Sequence, residues 1–80
     1  ILFVEDDKGI RENYVEYLKT NFNTVYGAEN GEVAYEMYEK LDIDLIILDI
    51  NMPVMTGLQL ARKIREKDQK IKLIIMSAYS

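Results

Sequence analysis

Apolar residues along this chain switch between two spacings. Residues 1–4 (Ile-Leu-Phe-Val), 45–48 (Leu-Ile-Ile-Leu) and 73–76 (Leu-Ile-Ile-Met) are unbroken apolar runs, the mark of strands buried on both faces. Between them, apolar positions recur three and four apart, as one stripe of a helix requires. The first run predicts a strand over 1–4 that stops at Glu5-Asp6-Asp7. Ile10, Tyr14, Tyr17 and Leu18 then mark a helix over about 8–21, with Asp7 as its N-cap. Thr24-Val25-Tyr26 predicts a second short strand within 23–28, stopped by Gly27. Asn30 caps a second helix whose stripe is Val33, Ala34, Met37, Tyr38 and Leu41. The apolar and tyrosine stripes are expected in the core.

The third strand, 45–48, runs into Asp49. Met52, Pro53 and Gly57 punctuate the loop after it, and Thr56 is placed to cap a third helix through Leu60, Ala61 and Ile64. A fourth strand over 71–76 ends at Ser77-Ala78-Tyr79-Ser80. The order β-α-β-α-β-α-β, with strands apolar on both faces, predicts an α/β fold with a doubly wound parallel sheet and right-handed crossovers.

Composition narrows the chemistry. Eighty residues make one small domain, and 49% hydrophobic residues with only four Gly and one Pro indicate a globular chain. Cys and His are both absent, which excludes disulfides, thiolate metal sites, a cysteine nucleophile and the commonest general base. Carboxylates, hydroxyls, amines and backbone groups remain, and oxygen ligands select a hard cation. No apolar run exceeds four residues, against the roughly 20 of a membrane helix, so no membrane contact is expected. The chain opens at Ile1 without initiator Met, basic leader or cleavage signal, and is expected to begin inside a longer protein.

The net charge of −4 conceals a division: residues 1–61 hold four basic and twelve acidic side chains, residues 62–80 six and two. The basic group Arg62, Lys63, Arg65, Lys67, Lys70 and Lys72 has no aromatic residues interleaved. It is expected to be the solvated face of a helix and its exit loop, without direct nucleic-acid contact.

Ligands of a doubly wound sheet bind at the carboxyl ends of its strands. Those ends carry Glu5, Asp6 and Asp7, then Ala28-Glu29, then Asp49 to Asn51, then Ser77. If the first and third strands are neighbours, Glu5, Asp6 and Asp49 converge. Two like charges about 4 Å apart repel by roughly 4 kcal/mol at an effective dielectric of about 20. Raised pKa values or a bound cation must compensate, and Mg²⁺ shared with phosphate oxygens suits the donor set. Asp49 is the candidate nucleophile for an acyl phosphate, Glu5 and Asp6 the candidate metal holders, and Ser77 the hydroxyl donor to a phosphoryl oxygen. Plainer roles stay open beside these: Asp6 or Asp7 as a helix cap, Asp49 as a turn residue, Ser77 as a loop hydroxyl.

Val4-Glu5-Asp6-Asp7 after a strand, Leu48-Asp49-Ile50-Asn51-Met52-Pro53 followed by Gly57, and Met76-Ser77-Ala78 at the fourth strand resemble the CheY-like receiver domain of two-component response regulators. The resemblance covers all 80 residues. It implies that Asp49 accepts a phosphoryl group from a phosphohistidine on a sensor histidine kinase or phosphotransfer protein, with Mg²⁺ held by Glu5, Asp6, Asp49 and the Asn51 carbonyl. It further implies that Ser77 contacts the phosphoryl group and shifts on activation, and that Asn51 and Tyr79 tune the lifetime of the phosphorylated state. The setting implied is cytoplasmic, with a downstream output domain or a homodimer as further partners and transcription regulation as one possible output.

The family also carries a fourth helix, then a fifth strand bearing a lysine that pairs with the phosphoryl group, then a fifth helix. Residues 1–80 are thus expected to be a partial receiver domain, about two thirds of the fold. They are expected to be part of a longer chain in preference to being completed by a dimer or fusion partner. Without the remainder, the fourth strand would present an open apolar edge. Such a domain is not an enzyme beyond its own phosphorylation and dephosphorylation. A haloacid-dehalogenase-like phosphatase would want a second Asp two residues after the nucleophile, where this chain has Asn51. A receiver fold acting through protein contacts alone is the other alternative.

Overall fold

Seven elements alternate through residues 1–49 and 56–76, which the computed structural model describes. They are β1 (Leu2–Val4), α1 (Lys8–Lys19), β2 (Tyr26–Ala28), α2 (Gly31–Lys40), β3 (Leu45–Asp49), α3 (Gly57–Lys67) and β4 (Lys72–Met76). All strand pairs are parallel, in the order β2-β1-β3-β4. The chain therefore leaves β1 towards β2 but leaves β3 towards β4, in opposite directions. With right-handed crossovers, this reversal sends α1 to one face of the sheet and α2 and α3 to the other.

Each helix begins on a capping side chain identified in the sequence. Asp7 Oδ1 accepts from Ile10 N at 2.9 Å and Asn30 Oδ1 from Val33 N at 2.8 Å. Thr56 Oγ1 accepts from Gln59 N at 3.2 Å while Gln59 Oε1 accepts from Thr56 N at 2.9 Å, a reciprocal box. Two boundaries differ from those the apolar pattern predicts. α1 stops at Lys19 instead of residue 21 because Thr20 N and Asn21 N bond three residues back, to Tyr17 O and Leu18 O. β2 begins at Tyr26 and runs through Gly27 instead of stopping there, because the ladder with β1 pairs Leu2, Phe3 and Val4 with Tyr26, Gly27 and Ala28.

The core lies between the sheet and the α2–α3 layer. Alternate strand residues Leu2, Val4, Ile46 and Leu48 point there and meet Ala28, Ala34, Leu60, Ile64 and Ile71. Tyr38 and Met37 pack against this cluster half-buried, as the second stripe requires. The α1 stripe does not behave as expected. Ile10, Tyr14 and Tyr17 are 42%, 46% and 65% exposed, and α1 buries no residue fully. The reason is how α1 seats: Val15 and the Arg11 stem lie on Gly27 of β2, and Tyr14 stacks on Phe3 with ring centroids 5.1 Å apart. The stripe is thereby turned to the flank away from β2, where among the described residues no helix covers β3. At β4, the edge strand among the described residues, Ile74 and Ile75 point to opposite faces and both are about half exposed.

The basic residues of α3 and its exit are mostly solvated, as expected. Lys63 and Lys67 reach across to α2, 4.4 and 5.3 Å from the Tyr35 ring centre, and Lys67 Nζ pairs with Glu39 at 2.6 Å. Asp68 turns the chain into β4 by accepting from Lys70 N at 2.9 Å and Ile71 N at 3.1 Å. These bonds, that from Lys70 foremost, hold its carboxyl below the ordinary value. No helix among the described residues is long and apolar enough to cross a membrane.

Candidate functional site

The reversal of winding between β1 and β3 opens a crevice at the carboxyl ends of those two strands. Val4 pairs with Leu48, so the next residues along the register are Glu5 and Asp49. Both strands are interior to the sheet, and both carboxylates are 5% exposed. Asp6, exposed, completes a group whose carboxylate oxygens lie within 4.8 Å of one another. Convergence of Glu5, Asp6 and Asp49, conditional in the sequence on β1 and β3 being neighbours, follows from their pairing.

Backbone and side-chain bonds fix the segment after β1. Glu5 N donates to Ala28 O at 3.0 Å, and Glu5 Oε2 accepts from Asp7 N at 3.3 Å. Asp7 caps α1, so its carboxylate is used there and not in the cluster. The Glu5 carboxyl is raised above its ordinary value. Burial is the largest cause, followed by its hydrogen bond with the Asp6 side chain and the negative charges of Asp49 and Asp6, while the Asp7 N–H opposes the shift.

Three oxygen donors around one point fit a hard divalent cation. Mg²⁺ holds oxygens at about 2.0–2.1 Å in an octahedron and keeps several waters. A set already within 4.8 Å reaches that geometry by small side-chain rotations, or through one water in place of a direct bond. Softer metals have no ligand here, since Cys and His are absent. Of the other predicted site residues, Asn51, Ser77 and Tyr79 lie outside the described residues. Lys63 and Lys67 are engaged with α2, on a helix that runs away from the crevice.

One residue was not singled out by its sequence pattern. Arg11 Nη1 donates to Glu5 O at 2.9 Å and to Asp6 O at 3.4 Å, bringing a guanidinium to the backbone of the acidic pair. The available signal was its place four residues after the cap Asp7: one helical turn on, it faces back over the helix start.

A doubly wound sheet with three carboxylates at its switch point defines a class: α/β domains whose strand ends carry an oxygen donor set that could hold a divalent cation. The family model described as response regulator receiver domain matches residues 1–80, and the chain belongs to that family. CheY of Halobacterium salinarum is 35% identical over 98% of this chain and 65% of its own length. The nitrate/nitrite response regulator NarL of Escherichia coli K12 is 37% identical over 96% of this chain and 37% of its own length. The cyclic di-GMP phosphodiesterase of Thermotoga maritima is 38% identical over 99% of this chain but only 21% of its own length. The chain thus spans between about a fifth and two thirds of these curated relatives. Among solved structures, the response regulator TrrA of Thermotoga maritima with Mg²⁺–BeF superposes with a TM-score of 0.92 at 42% identity, covering 99% of this chain and 69% of that one. TrrA in complex with the histidine kinase ThkA superposes at 0.91 and 42% identity, covering 99% and 68%. The family is a signalling family.

Proposed function

We propose that this domain is the phosphoacceptor of a two-component pathway, phosphorylated on Asp49 by a phosphohistidine of a partner kinase. The observation that carries the reading is the convergence of Glu5, Asp6 and the buried Asp49 at the switch point. In the transfer, an Asp49 carboxylate oxygen forms the new bond to phosphorus as the phosphorus–nitrogen bond of the phosphohistidine breaks, and the imidazole leaves. The domain's task is positioning and charge management, for which it needs neither Cys nor His. Glu5, Asp6 and Asp49 would hold Mg²⁺, with the Asn51 carbonyl as a fourth protein ligand. When bound, the ion supplies positive charge to the phosphoryl oxygens. Burial of Asp49 keeps the nucleophile and the acyl phosphate from bulk water.

Ser77 is proposed to contact the phosphoryl group and shift towards it, and Asn51 and Tyr79 to tune its lifetime. The kinase complex and Mg²⁺–BeF complex of TrrA, at 42% identity, support the partner class and the cation. Coverage of about two thirds of that chain supports residues 1–80 as a partial receiver domain. The setting is proposed as cytoplasmic, with an output domain, a transcription factor among the candidates, downstream.

The test is incubation of the intact protein with acetyl phosphate and Mg²⁺, followed by mass spectrometry. A gain of one phosphoryl group that Asp49→Asn abolishes is expected. No gain, or one that survives Asp49→Asn, overturns the assignment.

A further inference from the structure

We propose that Arg11 is a positioning residue of the metal site, clamping the backbone that presents Glu5 and Asp6. The inference rests on the reading of Glu5, Asp6 and Asp49 as Mg²⁺ ligands and adds a residue that touches neither metal nor phosphate. Three observations carry it. The guanidinium donates to two consecutive carbonyls, Glu5 O at 2.9 Å and Asp6 O at 3.4 Å, and these belong to the residues whose side chains converge on the site. The same segment is also held by the bond from Glu5 N to Ala28 O at 3.0 Å. Gly27 leaves the space through which the Arg11 stem runs: a Cβ there would stand 3.3 Å from Arg11 Cγ and 3.4 Å from Cδ. The stem therefore lies on bare β2 backbone, and its head can reach the end of β1.

The clamp matters because Mg²⁺ tolerates little error in ligand position. Charged Glu5 and Asp6 would otherwise swing apart under mutual repulsion. Fixing their carbonyls removes backbone freedom and leaves only side-chain rotations to close the site. Both bonds come from Nη1, whose two N–H groups are held in the rigid guanidinium plane, whereas the ammonium of lysine is a compact point charge on a flexible stem.

Charge and position predict opposite signs, which makes the inference decidable. Acting only as a nearby positive charge, Arg11 would repel Mg²⁺, and its removal would tighten binding. Acting as a clamp, its removal weakens binding.

The experiment is calorimetric titration of Mg²⁺ into the intact protein and its Arg11→Met, Arg11→Lys and Gly27→Ala variants, each also melted without Mg²⁺. Arg11→Met keeps the stem and loses the donors; the expected result is an affinity loss of about tenfold, the size seen for groups that orient metal ligands. Arg11→Lys is expected to recover part of the loss. Gly27→Ala keeps the guanidinium but crowds the stem, and is expected to weaken Mg²⁺ about threefold, a fraction of that loss. Unchanged or tighter binding by Arg11→Met overturns the proposal, as does a lowered melting temperature with an unaltered Mg²⁺ affinity. If Arg11→Met does not fold, Gly27→Ala decides, and an unaltered affinity there overturns the clamp. A native protein that takes up no Mg²⁺ overturns the reading of the site and this inference together. Native binding with indifferent variants overturns the clamp alone.

Discussion

Glu5→Gln removes one charge from the cluster with little change of shape, and the Gln amide oxygen can still accept from Asp7 N as Glu5 does at 3.3 Å. Two unit charges within 4.8 Å of each other repel by about 3.5 kcal/mol or more at an effective dielectric of about 20, and two of the three pairs in the cluster involve Glu5. Solvent screens the pair with exposed Asp6 and relieves part of this repulsion. A net gain of about 1–2 kcal/mol for the variant at pH 8 without Mg²⁺ is the expected remainder, read from urea unfolding of the intact protein. The pH dependence has a definite sign. A carboxyl raised above its ordinary 4.5 contributes its stability fully below that pH and loses it as pH rises through the folded value. Native and variant should therefore converge towards acid pH and separate above it. Saturating Mg²⁺ should reverse the order, because binding stabilises the native site and one ligand is missing from the variant. A variant less stable than native at pH 8 without Mg²⁺ would refute the claim that these carboxylates repel.

Leu60→Ala, at a fully buried position between α3 and the sheet, should cost about 2–5 kcal/mol by urea unfolding; a loss under 1 kcal/mol would mean that the α2–α3 layer does not form the core described. Thr56→Ala breaks the reciprocal cap of α3 and should cost about 1 kcal/mol, whereas Thr56→Ser should be close to neutral in the same assay. Asp68, held below its ordinary 3.8 first by the Lys70 N–H, contributes stability above that pH and loses it as pH falls through the folded value. Asp68→Asn keeps an acceptor for Lys70 and Ile71 but should flatten the acid slope of the urea midpoint between about pH 5 and 3; an unchanged slope would remove Asp68 from the account.

Elements were legible where local chemistry and burial agree. The apolar run ending in Asp49 is a strand because β3 lies between β1 and β4 inside the sheet, and the side-chain oxygens of Asp7, Asn30 and Thr56 each accept from the N–H three residues on. The α1 stripe was misjudged because helical spacing identifies one face without saying what lies opposite. Ile10, Tyr14 and Tyr17 share a face, yet the helix rests on Gly27 through Val15 and the Arg11 stem. The stripe faces the flank over β3, where no helix lies among the described residues. Arg11 escaped for a related reason: its acceptors are backbone carbonyls, which every residue has.

The site divides along the same line. That Glu5, Asp6 and Asp49 end strands is local and visible in the chain; that they end neighbouring strands depends on β2 lying outside β1, which no stretch of sequence states. Once the order β2-β1-β3-β4 is given, the consequence is energetic. Placing 5%-exposed Glu5 beside Asp49 and Asp6 sets burial and repulsion against the fold at one point, while caps, strands and core all favour it. Sequences that specify their fold consistently at other positions depart from that consistency where a ligand restores the balance. A neutral pair at positions 5 and 49 would remove that repulsion from the sheet. The retained charges are what the proposed cation would balance.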